Sequence, residues 1–150
     1  MPSFFYEHGG AVITTTFDKY CYVNVRHMPP FQPIARGECT FEELQAIHDK
    51  METELGKEGA FVDAIYYCPH HTDKGFEGER PEYKGDCDCR KPKPGLLLRA
   101  AKDWNIDISQ SYMVGDSDRD VKAGDKAGCK KSLMIESGEC MQDRLVEFLN

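Results

Sequence analysis

Apolar positions in this chain change rhythm near residue 40. Before it they gather in short β-branched and aromatic runs. After it, runs of that kind alternate with segments of helical spacing. Ala11–Thr16 (AVITTT) and Tyr20–Val25 (YCYVNV) both predict strands. At most Phe17 to Tyr20 lie between them. So short a link predicts an antiparallel hairpin, because a parallel pair needs a crossover. Met28–Pro33 holds three prolines and predicts a loop.

From Thr40 the pattern sharpens. Thr40-Phe-Glu-Glu43 has the form of a capping box. Phe41, Leu44, Ile47, Met51 and Leu55 then recur at helical spacing, with Gly56 near the end. Phe61–Tyr67 (FVDAIYY) predicts a buried strand, and a long polar segment, Cys68–Pro94, follows. Helices are predicted over Gly95–Trp104, behind Pro94, and over Asp118–Ala127, closed by Gly128. Strands are predicted at Ser111–Val114, running into Gly115-Asp116, and at Lys131–Glu136, with a terminal helix over Met141–Leu149. Strands alternating with helices imply an α/β fold with a largely parallel sheet. Ligands of such folds sit at the carboxyl ends of strands, here at the loops after Tyr67 and Gly115.

Composition narrows the field. The 150 residues suit one domain, and the profile of 40% hydrophobic and 30% charged residues is that of a globular chain. There is no internal repeat, and no apolar run approaches the ~18 residues of a membrane span. A net charge of −7 disfavours the phosphate contacts that dominate nucleic-acid binding. No basic flank with an apolar stretch opens the chain, so no secretory signal is read and a cytoplasmic protein is expected. The oligomeric state is not legible, and a monomer is the favoured expectation. Seven cysteines, three of them between Cys68 and Cys89 beside histidines, suggest metal binding rather than a disulfide framework.

Three clusters carry chemistry. Cys68-Pro-His70 and Cys87-Asp-Cys89 form C-x-H-x16-C-x-C. Three sulfurs and one imidazole fill the tetrahedral shell of a structural zinc ion. The loop between them has almost no aliphatic residues, so a metal would give it a reason to be ordered. His71 is the alternative fourth ligand. Free thiols, or a Cys87–Cys89 redox pair, are the plainer readings. Arg90-Lys-Pro-Lys-Pro-Gly95 sets three cations at a helix start, which suits a phosphate. A solvated basic linker is the plainer reading. Met113-Val-Gly-Asp116-Ser-Asp118-Arg-Asp120 places carboxylates just past a strand. Asp116 is the candidate Mg²⁺ ligand. Asp120 is either a second ligand or a partner for Lys91, and Asp118 is a candidate helix cap. An acidic helix start without metal accounts for the same residues.

Together, IARGECTFEEL (34–44), IYYCPHH (65–71), CDCRKPKPGLLL (87–98) and YMVGDSDRDVKAG (112–124) resemble the haloacid dehalogenase-like phosphatases. Within them the heptose 1,7-bisphosphate phosphatase branch and its histidinol-phosphate relatives are most similar. The resemblance implies a Rossmann-like fold and one domain over 34–150, with a zinc loop at 68–89 and an atypical segment at 1–33. It implies zinc on Cys68, His70, Cys87 and Cys89, and Mg²⁺ on Asp116. Lys91 would stabilise the transferring phosphoryl group, Arg90 would recognise the sugar, and Ser117 is a further substrate-binding candidate. The implied substrate is a small phosphorylated sugar that loses one phosphate through an aspartyl-phosphate.

Residues 1–31 depart from that pattern. The family opens with a strand ending in D-x-D, which supplies nucleophile and general acid/base. Thr16-Phe-Asp18-Lys-Tyr20 lacks the second carboxylate, and no T-N-Q-like turn precedes IARG. A gene truncated or shifted in frame near residue 31, or a lineage that lost catalysis, would account for this. The nucleophile is therefore unassigned, and little turnover is expected. The first strand, central in the family, is expected to be missing, which leaves exposed sheet edges. Alternatives are a phosphate-ligand-binding homologue without catalysis, a histidinol-phosphate phosphatase and a zinc-structured interaction module.

Overall fold

The computed structural model describes residues 12–14, 23–26, 33–59, 62–72, 74–136, 144, 147 and 148. Its sheet is built from β1 (Val12–Thr14), β2 (Val23–Arg26), β3 (Ala64–Tyr67), β4 (Tyr112–Gly115) and β5 (Lys131–Met134). The spatial order is β3-β2-β1-β4-β5, and every pairing is parallel. The expected α/β architecture is therefore present.

The expected hairpin is not. β1 pairs parallel to β2, Thr14 opposite Asn24, and parallel to β4, Val12 opposite Tyr112. Residues 15–22 separate the two strands, a longer link than the sequence suggested. Lying between β2 and β4, β1 satisfies the backbone groups of both neighbours. The centre of the sheet is thus filled, contrary to the expectation of exposed edges there.

Pro33 was expected in a loop but opens a short helix, α1 (Pro33–Arg36). A proline at the first helical position gives up an N–H that has no helical partner anyway. Residues 28–32 of that loop lie outside the described residues, as does the expected terminal helix over 141–149 except Arg144, Glu147 and Phe148.

α2 (Phe41–Lys57) begins with the expected capping box: Glu43 N–H donates to Thr40 Oγ1 (3.1 Å) and Thr40 N–H to Glu43 Oε2 (2.8 Å). α3 (Gly95–Trp104) ends at Asn105, whose φ of 52° lies in the left-handed region. α4 (Asp118–Ala127) ends at Gly128, φ 89°. None of the described helices is long and apolar enough to cross a membrane.

Along β4 the side chains alternate between faces. Met113 packs with Leu96, Leu97 and Ala100 of α3, Ala123 of α4, and Cys89. Val114 packs with Leu133 and Ile135 in a separate cluster. The larger cluster holds Cys68 and Cys87 at its margin, so the apolar interior runs directly into the cysteine cluster.

Gly124 is where α4 presses hardest on the sheet. A Cβ there would lie 2.5 Å from Met113 Cβ and 2.7 Å from Ser132 Oγ. Gly124→Ala gains about 1 kcal/mol of helix propensity. Overpacking against atoms so close to the backbone costs about 1–3 kcal/mol. A lower urea midpoint is expected, and a raised one would show that the helix can lift off the sheet at no cost.

Candidate metal centre and phosphate-binding turn

β3 delivers Cys68 and His70 just past its carboxyl end, and the chain returns to the same place at Cys87 and Cys89. Cys68 Sγ lies 3.1 Å from Cys89 Sγ and 3.5 Å from Cys87 Sγ. His70 Nδ1 lies 3.3 Å from Cys89 Sγ and 3.7 Å from Cys68 Sγ. All four donor atoms fall within 4.8 Å of one another. Sulfurs at about 2.3 Å from a tetrahedral ion stand about 3.8 Å apart, so the cage has the right size. The sulfurs are too far apart for a disulfide bond, which needs about 2.05 Å. Burial pushes the Cys68 and Cys89 thiols above the ordinary range, and the crowding of other thiols around Cys89 adds to it. A divalent cation at the centre would favour the thiolates instead. The donor set therefore fits a soft metal ion.

His71, the alternative ligand, is placed elsewhere. It is buried, and its Nε2 faces Arg36 Nη2 at 3.3 Å. Its backbone starts the pairing that closes the loop: His71 N–H donates to Tyr83 O (3.0 Å) and Gly85 N–H to His71 O (3.3 Å). The loop also docks on α1, through Arg80 N–H to Ala35 O at 2.9 Å. Gly37 adopts φ 74° with no room for a Cβ against the Gly78 carbonyl.

The basic turn leaves this cluster directly. Arg90 Nη1 donates to Thr72 Oγ1 at 3.1 Å. Lys91, joined to Pro92 by a cis peptide bond, is only 7% exposed and pairs with Asp120, which is 0% exposed. Lys93 lies outside and pairs with Asp86 at 2.6 Å. Gly95 N–H donates to Asp88 O (3.0 Å), which ties the start of α3 to the cysteine hook.

The acidic loop meets that turn from β4. Asp116 follows the strand's last residue, Gly115, where a Cβ would collide with Asp120. The cap of α4 is Ser117 rather than Asp118; Asp118 pairs instead with Lys122 at 3.2 Å. Ser117 N–H and Oγ both donate to Asp120 Oδ2, at 3.0 and 2.7 Å, and Asp120 Oδ1 holds Lys91. Both carboxylate oxygens of Asp120 are thus engaged. Burial draws Lys91 below the usual lysine range, while Asp120 and, more weakly, Asp116 oppose that shift. Partial burial raises Asp116 above the usual carboxylate range, and the neighbouring Asp120 adds to it.

Residues that the sequence did not single out also bear on the site. Arg119 is close enough for its charge to disfavour protonation of Lys91. Its only sequence signal is a cation in an acidic first turn, where the helix dipole disfavours it. Arg36 and Thr72 contact the loop and the basic turn without belonging to any motif of donor spacing.

Residues 88–148 match the HAD-hydrolase-like family model. Over these residues the sequence is similar to haloacid dehalogenase-like proteins, and the α/β fold is similar to that of HAD-like neighbours of solved structure. It is 45% identical over 106 residues to the D-glycero-β-D-manno-heptose-1,7-bisphosphate 7-phosphatase of Pasteurella multocida, covering 71% of this chain and 55% of that protein. The enzyme of the same name from Haemophilus influenzae is 44% identical with the same coverage. The chain thus spans about half the length of these curated relatives. Among solved structures, D,D-heptose 1,7-bisphosphate phosphatase from B. bronchiseptica, complexed with magnesium and phosphate, superposes with a TM-score of 0.61 at 27% identity, over 91% of this chain and 86% of that one. A HAD-like phosphatase from Mesorhizobium loti gives 0.67 at 32% identity, over 78% and 52%.

Breaking the buried pair has a definite cost. Lys91→Met leaves the Asp120 charge buried without its cation and should destabilise by about 3–5 kcal/mol. Adding Asp120→Asn removes that charge, so the double variant should recover much of the loss in denaturant unfolding. Equal stabilities for single and double variants would mean that the Asp120 carboxylate, left without its cation, costs the fold nothing.

Proposed function

We propose that this protein binds a heptose 1,7-bisphosphate-like sugar and that its chemistry is hydrolysis of a phosphate monoester. The observation that carries this is the buried Lys91–Asp120 pair beside Asp116, two residues beyond the Cys89 of the donor cage. Lys91 is the compact cation that meets the phosphoryl oxygens as charge develops on them. Asp120 holds its ammonium in place before substrate arrives. Arg90 forks onto the sugar hydroxyls or a second phosphate.

The carboxylate of Asp116 fits Mg²⁺, which commonly takes one or two protein carboxylates plus substrate phosphate. Asp120, with both oxygens engaged, supports that ligand from behind rather than joining it. Mg²⁺, when bound, neutralises phosphate charge and polarises the phosphoryl group. Cys68, His70, Cys87 and Cys89 would hold a structural Zn²⁺, with no position left open for chemistry. A reducing cytoplasm would keep these thiols free for the metal.

The described part of β1, Val12–Thr14, carries no carboxylate, and no D-x-D occurs among residues 1–33 of the sequence. This favours a second reading, a ligand-binding homologue with vestigial turnover. Loss of a covalent nucleophile costs at least on the order of 10³-fold in rate.

Two measurements test these assignments. Titration calorimetry with D-glycero-D-manno-heptose 1,7-bisphosphate and Mg²⁺ should show binding that the Lys91→Met/Asp120→Asn double variant loses. Absence of binding by the unaltered protein would overturn the proposal, and phosphate release at the rate of full-length relatives would overturn the second reading. Elemental analysis should find about one zinc per chain, lost in Cys87→Ser. Removing it with a chelator should open residues 71–85 to protease, and a loop equally resistant with and without metal would argue against a structural ion.

A further inference from the structure

We propose that Arg36 and Thr72 are positioning residues that fix the Arg90 guanidinium over the loop beside the basic turn. The restraint runs through four side chains. Arg36 is buried on α1, and its guanidinium lies 4.0 Å from the centre of the Phe76 ring. Its Nη2 is 3.3 Å from His71 Nε2. A guanidinium only donates, so this contact requires Nε2 to be the acceptor and places the imidazole proton on Nδ1. His71 is held a second time by its backbone, through Tyr83 O and Gly85 N–H. The very next residue is Thr72, whose Oγ1 accepts from Arg90 Nη1 at 3.1 Å.

Arg90 is therefore restrained from two directions. Its backbone follows Cys89 of the donor cage, and its side chain is tethered to the far strand of the same loop. Phe76 anchors that loop twice, with Arg36 at 4.0 Å and Lys84 at 5.6 Å from the ring centre. Lys84 in turn pairs with Glu79 at 2.5 Å, and Glu79 accepts from the N–H groups of Gly75 (3.1 Å) and Phe76 (3.3 Å). An arginine held in this way loses little conformational freedom when it forks onto a ligand, whereas a loose one must give up rotamer entropy on binding. Thr72 and Arg36 thereby set the affinity for the sugar-bearing part of the ligand without touching it. The role of Arg90 as a sugar contact rests on the function proposed above, but its tether does not.

The test separates the two. Phenylglyoxal adds to arginine guanidinium groups, and its rate at Arg90 can be followed by peptide mass spectrometry on the metal-loaded protein. Thr72→Val should speed labelling of Arg90 several-fold with the metal content unchanged, and Thr72→Ser should restore the slow rate. Arg36→Lys keeps the charge but loses the planar fork, so it too should speed labelling, and with Thr72→Val it should add nothing. Arg90 labelling unchanged in Thr72→Val overturns the proposal. A response to Thr72→Val but not to Arg36→Lys removes Arg36 from it. In calorimetry, Thr72→Val should weaken heptose 1,7-bisphosphate several-fold and leave inorganic phosphate unaffected. An equal loss for both ligands would mean a general structural effect and overturn the specificity role. Faster labelling in a protein that binds no heptose bisphosphate would leave the tether standing and bring down only the proposed substrate.

Discussion

The arrangement of the site depends on one ion pair sealed from water. Lys91 and Asp120 come from segments far apart in sequence, one leaving the cysteine hook and the other in the first turn of α4. Taking two charges out of water is costly, and the pair is tolerable only where the remaining donors and acceptors are also met. On the acceptor side they are, because Ser117 presents both its N–H and its hydroxyl to the second oxygen of Asp120. Gly115 leaves the space for this carboxylate to lie against the end of β4. Those contacts fix Asp116 at the strand tip and Lys91 opposite the same helix turn, so the carboxylate and the ammonium share one reference frame.

The loop over 71–85 follows a different logic. It has too little aliphatic surface to fold around, and its order comes from its boundaries. Two pairs of soft donors converge at its base, and α1 meets its middle through Arg36, Gly37 and the Ala35 carbonyl. The loop also holds on to the basic turn, because Arg90 leaves its base and donates to Thr72.

Local rules carried much of this from the sequence. Helices α3 and α4 begin and end where the proline entry, the acidic first turn and the glycine stop placed them, and the capping box of Thr40 and Glu43 is formed. The convergence of Cys68, His70, Cys87 and Cys89 was legible because two tight pairs at strand and helix ends have few other ways to be useful. The direction of β1 was not legible. Pairing is a property of the whole sheet, and a short link argued for a hairpin while β1 pairs parallel to both of its neighbours. The exchange of cap from Asp118 to Ser117 turned on one residue of helix phase, which composition leaves open. Arg36 and Thr72 escaped notice because their roles exist only once α1, the loop and the basic turn have met.

Cys89 is at once a member of the donor cage and a buried residue of the main apolar cluster, packed with Leu96, Leu97, Ala100, Met113 and Ala123. Any ion held in the cage would therefore couple its binding to compaction of the interior. A metal held by the native chain and released by the unfolded one shifts the folding equilibrium by mass action. Were an ion bound there, its free concentration would become a thermodynamic variable of folding, and its scarcity would erode the α3–β4 interior itself.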